Sequence, residues 1–115
     1  MEEKDTTKKI KEALNVATTD DYAVLVSVKV PPQIGKLLFY IKEENTNAIL
    51  FKIEGAQDES FVYAKELKAE TLLAKDGVAD PESLKDPWLY VRVLHKAAVA
   101  ESQGLTSCII SGSGA

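Results

Sequence analysis

The feature that most constrains this chain is the alternation that begins at Tyr22. Val24, Val26, Val28 and Val30 occupy every second position, and Ala23, Leu25, Ser27 and Lys29 fill the gaps. β-Branched residues at period two lie on one face of a pleated strand and do not fit a helical stripe. Pro31-Pro32 ends the run, because proline has no N–H to give a ladder. The same period returns three times. Leu37, Phe39 and Ile41 share one face of a strand over 37–42. Ile49, Phe51 and Ile53 point inward from a strand over 48–54, with Lys52 and Glu54 outward. Trp88 to His95 forms another strand, with Leu89, Val91 and Val93 on one side and Trp88, Tyr90, Arg92 and Leu94 on the other. Both of its faces are largely apolar or aromatic, which predicts a central position.

The segment from Phe61 to Leu73 reads as two short strands, 61–68 and 70–73, although Ala64 to Lys75 is rich in helix formers. Leu105 to Ser111 gives a last strand. Asp76-Gly77 is a turn, and Ala79 to Pro87, with two Asp-Pro pairs, is a surface loop. About seven strands separated by turn signals predict an all-β antiparallel β-sandwich over 21–111. The first twenty residues differ. Ile10, Ala13, Leu14 and Ala17 follow helical spacing, so 1–20 reads as an N-terminal arm with a short helix. Ser-Gly-Ser-Gly-Ala closes the chain, with 112–115 expected to be a flexible tail.

Composition narrows the chemistry. At 115 residues the chain makes one domain. Its net charge of −4 opposes a phosphate grip on nucleic acid. No apolar run approaches the ~20 residues of a membrane helix, and the charged start Met-Glu-Glu-Lys-Asp does not read as a secretory signal. One Cys and one His leave no intrachain disulfide and no cluster of these ligands. Cys108 lies mid-strand and reads as a small core hydrophobe, and His95 as an ordinary strand-end residue. Gln57-Asp58-Glu59-Ser60 gathers carboxylates without the spacing of a Ca²⁺ loop, and reads as solvated. Gly35, Gly55, Gly77 and Gly104 stand alone at predicted turns, where glycine supplies positive φ. No cofactor, metal site or catalytic group is expected. Trp88, Tyr90 and Arg92, residue types that dominate interface hot spots, form a candidate contact, with an internal ion pair or ring stack as the alternative. Ile10 and Leu14 of the arm are a second candidate contact.

The order of elements from Asn47 onward carries a resemblance. Asn-Ala-Ile-Leu-Phe-Lys-Ile-Glu-Gly-Ala-Gln-Asp-Glu-Ser-Phe-Val-Tyr gives a strand, a Gly-small-polar-Asp turn and an aromatic-led strand. Asp-Pro-Trp-Leu-Tyr-Val-Arg-Val follows, then Gly104 and a closing apolar strand. This resembles the small β-sandwich modules in virion proteins of tailed phages, including capsid decoration (cement) proteins and tail or fibre domains. It spans Val24 to Ser111, with the arm outside it. Tyr90-Val91-Arg92-Val93 and the Ile53-x-Gly55-x-x-Asp58 turn are also similar to discoidin-type galactose-binding domains. The phage resemblance implies a non-enzymatic structural protein of the virion, bound to a capsid or tail protein as an oligomer, often a trimer. A carbohydrate- or receptor-binding module of a tail or fibre is the alternative it implies.

Overall fold

The structure, a computed structural model, describes residues 8–32, 34–74 and 88–114, together with the backbone of 82–84. Eight strands are present among them: β1 (Lys8–Ala17), β2 (Ala23–Lys29), β3 (Lys36–Glu43), β4 (Ile49–Ala56), β5 (Lys65–Leu73), β6 (Glu82–Leu84), β7 (Tyr90–Ala97) and β8 (Leu105–Ser113). They form two four-stranded antiparallel sheets, ordered β1-β8-β3-β6 and β2-β7-β4-β5. The ladders are nested: first strand with last, second with seventh, third with sixth, fourth with fifth. A long hairpin rolled up in this way is a jelly roll, an eight-stranded sandwich of two Greek keys.

The all-β sandwich is as the alternation predicts. The N-terminal helix is not: no helix occurs among the described residues, and Lys8–Ala17 is a strand paired with β8. The reason is local. Register shifts at Lys9/Lys11 and Ala13/Val16 insert extra residues into β1. Its inward side chains therefore fall at Ile10, Ala13 and Val16, packed against the core. A bulged strand with a three-residue spacing imitates one face of a helix. Three further corrections follow. Residues 65–73 form one strand, and Phe61, with φ of 58°, belongs to the loop before it. Glu82–Leu84 pairs with β3 inside the segment read as a loop, while Asp76-Gly77 lies outside the described residues. Gly112 and Ser113, read as tail, pair with β3 at the end of β8.

The core lies between the sheets. Phe39, Ile41, Cys108 and Ile110 face it from the first sheet, and Ile49, Phe51, Ile53, Val91 and Val93 from the second; all are essentially inaccessible. β7 and β8 occupy central positions, so both of their edges are hydrogen-bonded. In β2 a register shift between Val24 and Val26 breaks the valine row. Leu25 and Val26 are both buried, and Val24 turns outward.

No described glycine has positive φ; Asn15, Phe61 and Glu101 take that conformation instead. Gly104 is required for space. A Cβ there would lie 2.4 Å from Ile49 Cγ2 and 2.7 Å from the Asn47 carbonyl oxygen. Gly104→Ala should lower stability by about 1–3 kcal/mol, because a backbone carbonyl cannot rotate aside. Gly114→Ala, with nothing within 4 Å, should change it by less than about 0.5 kcal/mol. Urea midpoints of the two variants check the contrast.

Candidate functional site

The residues singled out around β7 separate in space. Trp88 precedes the strand and packs on the core side, where a Cβ on Gly55 would touch its ring at 2.8 Å. Tyr90 and Arg92 lie on the opposite face. A bend at Leu89 lets the alternation slip by one residue there, so the single face predicted for the three does not form. Arg92 donates from Nε to Glu54 Oε1 at 2.9 Å, and its Nη2 lies 2.8 Å from the same oxygen. Its guanidinium stacks 4.3 Å from the centre of the Phe61 ring, and Phe61 meets Tyr90 edge-on at 6.5 Å. Tyr90 and Arg92 thus pin the β4–β5 loop onto the sheet, as the ion-pair and ring-stack alternative describes.

His95 and Cys108 are interior. His95 Nδ1 lies 2.9 Å from Thr106 Oγ1 across the sandwich. Burial holds the imidazole neutral, with its pKa pushed down to about 4, and holds the thiol protonated, with its pKa pushed up to about 12. In this state neither is a ready nucleophile or base. Asp58 accepts from Ser60 Oγ and from Val62 N at 3.4 Å, which lowers its pKa and shapes the loop. Among the described residues no three His, Cys, Asp or Glu side chains converge as metal ligands. No helix long and apolar enough to cross a membrane occurs among the described residues.

At the end of the sandwich where β3, β7 and β1 finish, polar groups join three loops. Thr18 and Gly104 exchange two hydrogen bonds, from Thr18 N to the Gly104 carbonyl and from Gly104 N to Thr18 Oγ1. Thr18 Oγ1 donates to Gln103, Asn47 Nδ2 donates to the Gln103 carbonyl, and Asn45 N donates to the buried Glu43 carboxylate. These bonds satisfy groups that burial would otherwise penalise.

The surface best shaped for contact lies on the outer face of the first sheet. Tyr40 and Ile109 are cross-strand neighbours there, and Leu14 stands beside them. They line a recess of about 260 Å³, bordered by Lys42, Glu44 and Ser107. Leu14 is 52% exposed and Tyr40 41%. The β1 bulge shapes this recess. Asn15, at φ of 54°, donates its N–H to Ser107 Oγ at 2.9 Å, and Ser107 Oγ donates to Glu44 Oε2 at 2.6 Å. That hydrogen bond, aided by Lys42, lowers the Glu44 pKa. Of the two arm residues proposed from sequence, Leu14 therefore reaches solvent at the recess. Ile10 turns inward, close over Gly112. Sequence reading missed Tyr40 and Ile109, and their only signal was outward position on strands flanked by core residues.

No protein-family model matches the chain, and no curated protein matches it in sequence. Solved structures share its fold at low identity. PirA is 12% identical with a TM-score of 0.55, the match covering 96% of both chains. A protein from a study of Bacillus endospore appendages, described as disulfide-linked pili, is 10% identical with a TM-score of 0.55, covering 96% of this chain and 90% of the other. A chain of the T13 IBDV viral particle is 6% identical with a TM-score of 0.55; the match covers 96% of this chain and 32% of that one. These likenesses show the fold.

Proposed function

We propose that the chain is a non-enzymatic structural protein of a virion, a capsid decoration protein that binds and stabilises the shell as an oligomer. The observation that carries this reading is the Leu14–Tyr40–Ile109 recess, an apolar surface built by a bulge and open to solvent. Bulges recur where a strand re-aims a side chain for use, and exposed apolar surface rimmed by polar groups marks contact sites. The fold supports it by analogy, since jelly rolls recur in capsid and lectin domains. Pili and a viral particle, named for two of the similar structures, are assemblies of many subunits.

Empty shells of the virion that this reading implies provide the test. The wild type should pellet with them and raise their melting temperature. Leu14→Asp should weaken that binding at least about tenfold, as expected for charge placed in an apolar contact. Its own stability should move by under about 0.5 kcal/mol, because the site is exposed. Absence of binding by the wild type, or full binding by the variant, contradicts the reading.

A second reading has its own observation. Val62 and Tyr63 at the tip of the β4–β5 loop are 68% and 86% exposed. Exposed aromatic rings at loop tips suit a carbohydrate- or receptor-binding module of a tail or fibre. A glycan array that lights up with the wild type and goes dark with Tyr63→Ala would favour it.

A further inference from the structure

One edge of the sandwich carries opposite charge at its two ends. β1 and β2 are the outermost strands of their sheets on the same side, and Lys11 Nζ crosses between them to the Ser27 carbonyl at 2.8 Å. Beside that bridge lies an open cleft of about 430 Å³, lined by Lys11, Lys29, Tyr90 and Glu59 with the β2 backbone. Two lysines and one glutamate line the cleft, which makes it locally cationic in a chain of net charge −4. At the other end of the same edge, the β1–β2 corner presents Asp20 and Asp21. The neighbouring loop adds Glu101, whose N–H donates to Asp20 Oδ1 at 2.9 Å. Asp20, Asp21 and Glu101 are all exposed. Lys29 and Asp21 stand at opposite ends of β2, about 25 Å apart at the rise of a strand.

We infer that this edge is a self-complementary surface on which two copies pair antiparallel, the acidic corner of each entering the cationic cleft of the other. A two-fold axis across the middle of β2 makes both contacts at once, which is the isologous arrangement of most closed dimers. The charges oppose like-with-like alignment, so a parallel pairing would set lysine against lysine and carboxylate against carboxylate. The inference goes beyond shell binding and does not depend on it: the recess lies on a sheet face, the cleft on the edge.

Sedimentation velocity on the full chain tests it. The wild type should form a dimer at about 50 mM salt and dissociate at about 500 mM, where screening is strong. Lys29→Glu and Asp21→Lys should each weaken dimerisation at least tenfold, and the chain carrying both should recover it. Lys29 and Asp21 are exposed, and should one variant fail to fold, the other and the salt series still decide. A monomer at every salt concentration, unlimited growth beyond two copies, or a double variant as weak as the singles would overturn the inference. So would polyglutamate filling the cleft while the chain stays monomeric. Shell pelleting by Lys29→Glu separates the two proposals: binding that persists without dimerisation leaves the shell reading intact, and lost shell binding with an intact wild-type dimer leaves the edge intact.

Discussion

Phe51→Ala should lower the unfolding free energy by about 3–5 kcal/mol, the range for removing a buried ring. Phe51 is wholly inaccessible, on β4 between His95 of β7 and Thr71 of β5. Its ring fills the space between the sheets, and the rigid ladders on either side cannot close over the void. Against a typical total of about 5–15 kcal/mol, such a loss brings a small domain near its unfolding threshold. Tyr63→Ala, at an 86% exposed position, provides the control, with a change under about 0.5 kcal/mol. Urea titration of both variants checks the pair. A Phe51→Ala loss below about 1 kcal/mol would mean that the core is not where the two sheets place it.

Acidification should destabilise the protein in two successive stages. His95 is about 1% exposed, and burial depresses its folded-state pKa to about 4 from the ordinary 6.5. Only the neutral ring suits the fold, while the unfolded chain takes up a proton as the pH falls through 6.5. The stabilisation is therefore complete above pH 6.5, declines toward pH 4 and is absent below it. Its full size is on the order of 3 kcal/mol for a folded-state value near 4. The carboxyls of Asp20, Glu44 and Asp58 have lowered pKa values, chiefly through hydrogen bonds from Glu101 N, Ser107 and Ser60 respectively. Their contribution is present above the ordinary carboxyl values of 4.5 for Glu and 3.8 for Asp, and is lost as the pH falls through and below them, at the acid end of the histidine window and beyond it. Proton NMR of the imidazole should show no titration above pH 5, and urea midpoints should fall between pH 6.5 and 4. His95→Gln should remove that slope, whatever its effect on stability at pH 7.

The sequence made the layers legible but left the roll hidden. Ile49, Phe51 and Ile53 alternate cleanly, so their inward face could be read directly, and the apolar faces around Val91 and Val93 marked a central strand. Bulges defeated the same logic elsewhere. One shift in β2 exposed Val24, and two in β1 gave a strand the spacing of a helix. Nested pairing of first strand with last joins residues almost a whole chain apart, such as Lys8 with Gly112, and local pattern carries no trace of it. The recess has the same origin. Leu14, Tyr40 and Ile109 come from three distant strands, and only the β1-β8-β3 order brings them together. Gly104, too, looked like a turn glycine, and only the packed Asn47 and Ile49 reveal it as a close approach.

Amide hydrogen exchange, recorded free and on the shell, asks where this protein touches its partner. The proposed contact predicts slowed exchange in 13–15, 38–42 and 107–109, with the outer face of the second sheet unchanged. Protection confined to the Val62–Tyr63 tip, or none along β1, β3 and β8 in a sample shown to be bound, would contradict it.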